Sequence, residues 1–519
     1  MRTMKNYFKY IAVLALGIVS CEPELENSIE DGGQYSNGSA DFSNYVALGN
    51  SLTAGFADGA LYISGQQNSY PNILASKFAL VQDTDEFTQP LMNDNIGGLL
   101  LGGTQIQQPR FVLGGESLET ARPARYNGTP TTEVGAKLSG SFNNMGVPGA
   151  KSYHLLAPGY GNIAGVATGM ANPYFARFAS ADNATVLGDA LAQQPTFFTL
   201  WIGNNDVLSF ATSGGAGVYQ ENITDFTQYG PNDITDANAF AFVYNSLVSQ
   251  LAGEDGLGAE GVLINIPNVT DIPFFKVVPV NPIPLDANTA AALNAQFGAY
   301  NTQILPGLAQ MGVITEAEAN SRKITFAEGP QNFVTIRDEN LTDISGILQG
   351  EPFNLDPQTA GLLGQLRQAT NADLIPLTSS SFIGSQVGDN PMLINGVSVP
   401  LGDEHVLTAK EQELVAQVTA QYNGAIATIA QNYSLGLVDA NQLLSQIAGD
   451  GGLTYQGVQI SSRFVSGGAF SLDGVHLTPR GYAVIANEIV KEINETYEAN
   501  VPAVDVGTYS TITLNNNVQ

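Results

Sequence analysis

Apolar positions fall in two rhythms along this chain. Short unbroken runs of β-branched, aromatic and aliphatic residues recur at Tyr45–Leu48, Thr196–Trp201, Val262–Ile266 and Leu435–Val438. Runs this short, with no polar alternation, predict strands buried on both faces. Between them the spacing becomes helical. Asn68-Ser69-Tyr70-Pro71 opens a helix with Pro in its first turn, followed by Ile73, Leu74 and Phe78 on one face. Helices are also expected over Thr185–Leu191, over Ala239–Leu251, and over Ala290–Ile304 with Leu293, Phe297, Tyr300 and Ile304 as its stripe. A long one starts at Thr408, where Thr408 and Glu411 have capping-box spacing, and runs through Val415, Val418, Tyr422 and Ile429. The last begins at Thr478-Pro479 and carries Tyr482, Ala486, Ile489, Val490 and Ile493. Strands alternating with helices predict an α/β fold with a parallel, doubly wound sheet.

Two stretches lose the rhythm, about 81–138 and about 312–400, and read as insertions; the second holds one short helix opened by Asp356-Pro357. The most apolar part of the first, Ile96–Leu101, is expected to pack on the core, with lining an acyl pocket as the alternative.

Composition changes this picture at the ends and at the surface. A formal charge of −29 repels phosphate backbones and anionic headgroups, so a nucleic-acid partner is not expected. Arg2, Lys5 and Lys9 precede a short apolar run, Ile11–Val19, and then Ile18-Val19-Ser20-Cys21. The run is too short to span a bilayer, which takes ~20 residues. The pattern resembles a bacterial lipoprotein signal over residues 1–20, with Cys21, the only cysteine, as the acylated residue. Such acyl chains are expected to hold the protein at a membrane, as an outer-membrane lipoprotein facing the periplasm or the cell surface. Residues 21–41, rich in Glu, Gly, Ser and Asn, are expected to form an acidic flexible tether. The segment 498–519 is a C-terminal tail. Length alone suggests about three domains at ~150 residues each. The chemistry below spans Ser51 to His476, so one domain, 42–497, is expected instead.

Four short stretches carry that chemistry. Tyr45–Leu48 runs into Gly49-Asn50-Ser51-Leu52, which puts a serine hydroxyl at the rim of a sheet, beside helix amides. Asn143-Asn144-Met145-Gly146-Val147-Pro148-Gly149 ends in a Gly that lets backbone approach a ligand. Gly203-Asn204-Asn205-Asp206 follows the strand ending at Trp201, and its Asp206 is expected to cap the next segment. Asp473-Gly474-Val475-His476 precedes the last helix, with Asp and His close enough in sequence to pair on a turn. His154 and His405 are the other histidines. His154 is expected to be a pocket-wall or structural residue, and no transition-metal site is expected from so few His and Cys.

In this order the four stretches resemble the blocks of the GDSL, or SGNH, hydrolase family. The resemblance covers four anchors and their flanking elements, and it departs from the family at Asn50, where the family has an Asp that is not catalytic. It implies a three-layer flavodoxin-like fold of about five strands. It further implies a serine hydrolase of carboxylic esters, without cofactor or metal. Ser51 would be the nucleophile, His476 the general acid and base, and Asp473 its orienting carboxylate. The amides of Ser51 and Gly149 and the side chain of Asn205 would form the oxyanion hole. The Gly-x-Ser-x-Gly elbow of α/β-hydrolases is absent. Three readings stay open: a lipase or esterase with Leu99 and Pro273-Phe274-Phe275 as apolar walls, a deacetylase of acetylated glycans with an open aromatic cleft, and a surface lipoprotein that binds without cleaving.

Overall fold

A computed structural model describes residues 35–115, 121–390 and 392–514. Cys21, the signal segment and most of the expected tether lie outside these residues. The molecule is built on five parallel strands: β1 (Tyr45–Gly49), β2 (Asn144–Gly146), β3 (Phe197–Trp201), β4 (Glu260–Ile264) and β5 (Gly436–Val438). Their order across the sheet is β5-β4-β3-β1-β2. This is the doubly wound order 2-1-3-4-5, whose switch point lies at β1. β1 and β3 are buried at every position, so both faces are covered, as their continuous apolar runs require.

The flanking helices are α1 (Ser51–Ala54), α2 (Tyr70–Phe78), α3 (Val186–Leu191), α4 (Asn205–Thr212), α5 (Ala237–Ala252), α6 (Ala409–Asn432) and α7 (Pro479–Thr496). α7 packs on α2, β4 and β5; α5 packs on α6 and α3. α7 starts where Thr478 accepts a hydrogen bond from the Gly481 amide at 3.0 Å, with Pro479 at its first position. Such a cap is worth ~1 kcal/mol and fixes where the preceding turn must end.

Several segments differ from the sequence expectation. The stretch 81–138 contains two antiparallel hairpins, Leu99–Leu101 with Thr104–Gln107 and Phe111–Gly114 with Arg122–Arg125. The second core begins at Ile283 rather than near 312 and runs to Val406. It takes in the expected helix Ala290–Ile304, whose apolar stripe therefore faces this core and not the sheet. That helix is also interrupted. An α-helix over Ala287–Gln296 passes through a wider π turn at Tyr300–Ile304 into Leu305–Gln310. Pro306, which has no N–H to donate, follows the π turn. Residues 35–41 are pinned rather than loose: the Ser39 amide donates to Tyr497 O at 2.8 Å, and Ala40 is buried. The tail is pinned too, with Val501, Val504 and Val506 buried and the Leu113 amide donating to Thr513 O.

The sheet closes on its first turn with no slack. A Cβ on Gly146 would stand 2.7 Å from the backbone Cα of Ala54 in α1. Backbone on both sides cannot yield as a flexible side chain could. Gly146→Ala is therefore expected to destabilise the protein by ~1–3 kcal/mol in chemical denaturation, the usual cost of overpacking. A variant as stable as the parent would show that β2 and α1 are free to separate.

Candidate active site

β1 delivers the nucleophile candidate. It ends at Gly49, and Asn50 caps α1 by accepting from the Leu52 amide at 3.0 Å. Ser51 is the first residue of α1, 7% exposed, with its side chain at the sheet rim. The amides of a first helical turn have no partner within the helix. The turn ends at Gly55, in the left-handed region at φ 81°.

The segment before α7 delivers the other two groups. Gly474, at φ 73°, lets the chain fold back so that the Ser471 amide donates to His476 O at 2.8 Å. In this turn Asp473 Oδ1 accepts from the amides of Val475 and His476, both at 2.8 Å. Asp473 Oδ2 meets His476 Nδ1 at 2.8 Å, and His476 Nε2 meets Ser51 Oγ at 2.9 Å. Burial works to raise the Asp473 carboxyl, but the His476 ring and the two amides outweigh it and hold the group well below the usual carboxylate range. An ionised carboxylate only accepts, so Nδ1–H donates to Asp473. Nε2 of the neutral ring is then the acceptor for the Ser51 hydroxyl. The Phe56 ring lies 4.6 Å from the imidazole and closes one side.

The structure also brings the remaining candidates to this end of the sheet. Asn205 opens α4 and donates from Nδ2 to Ala150 O at 2.8 Å, which leaves its second N–H. Gly149, at φ 81° after Pro148, is exposed, and neither its amide nor that of Ser51 has a hydrogen-bond partner among the described residues. The loop is held from both sides. The Val147 amide donates to Gly49 O at 3.0 Å, and Asn172 Nδ2 donates to Pro148 O at 2.8 Å. Asn50 Nδ2 donates to Asn204 Oδ1 at 3.0 Å, so Asn50 ties the first turn to the third. Asp206 does not cap its own helix with its carboxylate. It reaches across to Ser152, accepting from the amide at 2.8 Å and from Oγ at 2.7 Å. Burial pushes its carboxyl up more than Lys151 and Ser152 pull it down.

A narrow, mostly apolar cleft opens beside Ser51, Asn205 and His476, walled by Leu208, Val269, Ile272, Leu444, Phe470 and Leu477. Neither apolar stretch expected as a wall is there. Leu99 is buried in a small separate cluster with Met92, Val134 and Tyr174. Phe274 and Phe275 are buried in the main core, and the Phe274 amide donates to Gly474 O behind the triad turn. His154 is structural: Nδ1 accepts from the Lys151 amide, the ring stacks on Tyr160, and burial followed by Lys151 pushes it down to about 4. His405 stacks on Phe382 and meets Ser379 Oγ at 3.0 Å.

Sequence reasoning missed the support behind Asp473. The Gly59 amide donates to Asp473 Oδ2 at 2.7 Å, and Ser471 Oγ donates to Oδ1 at 3.1 Å. Asp58 beside it is buried, at φ 55°, and accepts from the Leu472 amide, Tyr62 Oη and Arg110 Nη2. Arg110 lies over the Tyr62 ring, 3.7 Å from its centroid. The Asp58-Gly59 dipeptide is a turn signal that could have been read, but its partners lie far away in sequence. No family model, curated protein or solved structure matches this chain.

The depressed Asp473 carboxyl links stability to pH. An unfolded Asp titrates near ~3.9, above the folded value, so this group stabilises the fold above about pH 4 and loses that contribution as pH falls further. Asp473→Asn should therefore be less stable than the parent at neutral pH, with the gap shrinking below about pH 4. Denaturation curves from neutral to acid pH check this; a gap independent of pH would contradict it.

Proposed function

We propose that this chain is a serine hydrolase of carboxylic esters, of the GDSL or SGNH type, acting through an acyl-enzyme. The observation that carries the reading is the continuous relay from Ser51 Oγ through His476 to Asp473, at 2.9 and 2.8 Å. Ser51 attacks the ester carbonyl as Nε2 takes its proton. Asp473 stabilises the imidazolium that forms, and Nε2 returns the proton to the departing alcohol. Water, deprotonated by the same nitrogen, then attacks the acyl carbon, the bond to Ser51 Oγ breaks, and Nε2 returns the proton to Oγ as the acid leaves. The developing oxyanion would be met by the amides of Ser51 and Gly149 and the second Nδ2 hydrogen of Asn205. The strand order 2-1-3-4-5 is that of a flavodoxin-like doubly wound sheet, which is compatible with the reading.

The apolar walls of the cleft favour esters with an aliphatic acyl group, the lipase or esterase reading, over acetylated glycans. A complete relay disfavours a purely binding role, because hydroxyl, imidazole and carboxylate are all held in the geometry of attack. The chain would work as a lipoprotein of the outer membrane, anchored through Cys21. Among the described residues no helix is long and apolar enough to cross a membrane. No step requires a cofactor.

Rates on p-nitrophenyl esters of rising acyl length test the reading. Hydrolysis should rise beyond acetyl, and Ser51→Ala and His476→Ala should each abolish most of it. Because the two act in one step, the double variant should be about as slow as either single one. Losses that multiply, or no hydrolysis of any ester by the parent, would remove the proposal. Asn205→Ala should lower kcat by ~10²–10³ with KM little changed, the usual loss for one oxyanion donor. A kcat within about twofold of the parent would take Asn205 out of the mechanism.

A further inference from the structure

Away from Ser51, three carboxylates from two stretches of the chain crowd together where the second core meets the first. One oxygen from each of Glu339, Asp403 and Glu411 lies within 4.8 Å of the others. Glu339 and Asp403 belong to the segments that build the second core, and Glu411 stands in the first turn of α6. Glu411 is only 5% exposed. Its Oε2 accepts from the Thr408 amide at 2.6 Å and from Thr408 Oγ1 at 2.8 Å. Its Oε1 is fully buried and no donor reaches it. The backbone at Gly215 passes so close to this oxygen that a Cβ would not fit. The charge of Arg337 reaches Asp403, but its guanidinium donates to Gln365.

A buried carboxylate oxygen with no donor is an incomplete site. We propose that Glu339, Asp403 and Glu411 bind a hard divalent cation, calcium, which clamps the second core to the start of α6. The donors are all oxygens and come from two stretches, Glu339 on one and Asp403 and Glu411 on the run that leads into α6. Calcium accepts such irregular sets at ~2.3–2.6 Å, whereas magnesium demands a near-ideal octahedron. Gly214 and Gly215 follow α4, whose first residue is Asn205, so the clamp also braces the far end of the helix that reaches the cleft. The site is independent of the ester-hydrolase reading.

Calorimetric titration of the chelator-treated full chain with calcium chloride at neutral pH tests this. One saturable site is expected, with Kd at or below ~10⁻⁴–10⁻³ M. Glu339→Gln changes an exposed residue and should fold; Asp403→Asn is the second variant. Each should weaken binding at least about tenfold, since affinity follows ligand charge. Each should also lose the calcium-dependent rise in melting temperature expected of the parent. No saturable binding by the parent would overturn the proposal. So would parent-like binding by both variants, which would place the ion elsewhere on this acidic surface. If the three groups merely share protons, calcium will not move the melting temperature, and that result overturns it as well. Terbium luminescence displaced by calcium gives a second readout on the parent alone; luminescence that calcium does not displace also counts against the site.

Discussion

One buried carboxylate ties the two ends of the chain together. Asp473 accepts from the Gly59 amide near one end, and from Ser471 Oγ, the Val475 and His476 amides and the His476 ring near the other. A charge removed from water is tolerated only if such donors replace the water. The turn at Gly474 and the left-handed backbone at Asp58 and Gly59 exist to supply them. Neither turn would hold without the other, because each satisfies polar groups the other buries. The imidazole is thereby held against the Ser51 hydroxyl, and in the proposed hydrolase such preorganised polar groups would cost no rearrangement at the moment of reaction.

Behind that carboxylate stands a buried ion pair, Asp58 with Arg110. Asp58 is held between Arg110, Tyr62 and the Leu472 amide. Burial raises its carboxyl, and Arg110 is the main opposing influence. Arg110 comes from the first insertion and also reaches Thr513 in the C-terminal segment. The insertion is therefore not a decoration on the sheet: one of its side chains braces the turn that presents Gly59 to Asp473. A conservative change at Arg110 would act on the orientation of the His476 ring at a distance, through Asp58 and the Gly59 amide that donates to Asp473.

What the sequence made legible was what local physics decides. β1, β3 and β4 read as unbroken apolar runs because both faces are covered, and α6 and α7 read from their caps and stripes. Ser51, Asp473 and His476 were legible as motifs, and the relay places them together. The hairpins in 81–138 were not legible. Their strands are three or four residues long, and Thr104–Gln107 is exposed throughout, so neither burial nor alternation marks them. The stripe Leu293–Ile304 was read as a helix correctly in part, but a stripe says only that a face is buried, not against which core. Asp58 and Arg110 meet across more than fifty positions, and Glu339 meets Asp403 and Glu411 across more than sixty. Pairings at such separations leave no local period.

The register of the sheet explains how long insertions can coexist with a tight site. Gly49 on β1 is aligned with Gly146 on β2 and with Trp201 on β3. Ser51, Gly149 and Asn205 lie two, three and four residues past those aligned positions. Each is thus placed by the end of its own strand, over a span too short for the chain to wander. The long excursions begin only after these turns are complete and return before the next strand starts. Added loop length costs closure entropy that grows only slowly, roughly as the logarithm of length. It does not alter the hydrogen-bonded ladder that sets the relative heights of the three turns. His476 is the exception, because no strand of the sheet places it. Its position depends on the Asp473 turn and on the Thr478 cap of α7. It follows that the imidazole, rather than the Ser51 hydroxyl or the groups of Gly149 and Asn205, is the part of the site most exposed to distant changes in the chain.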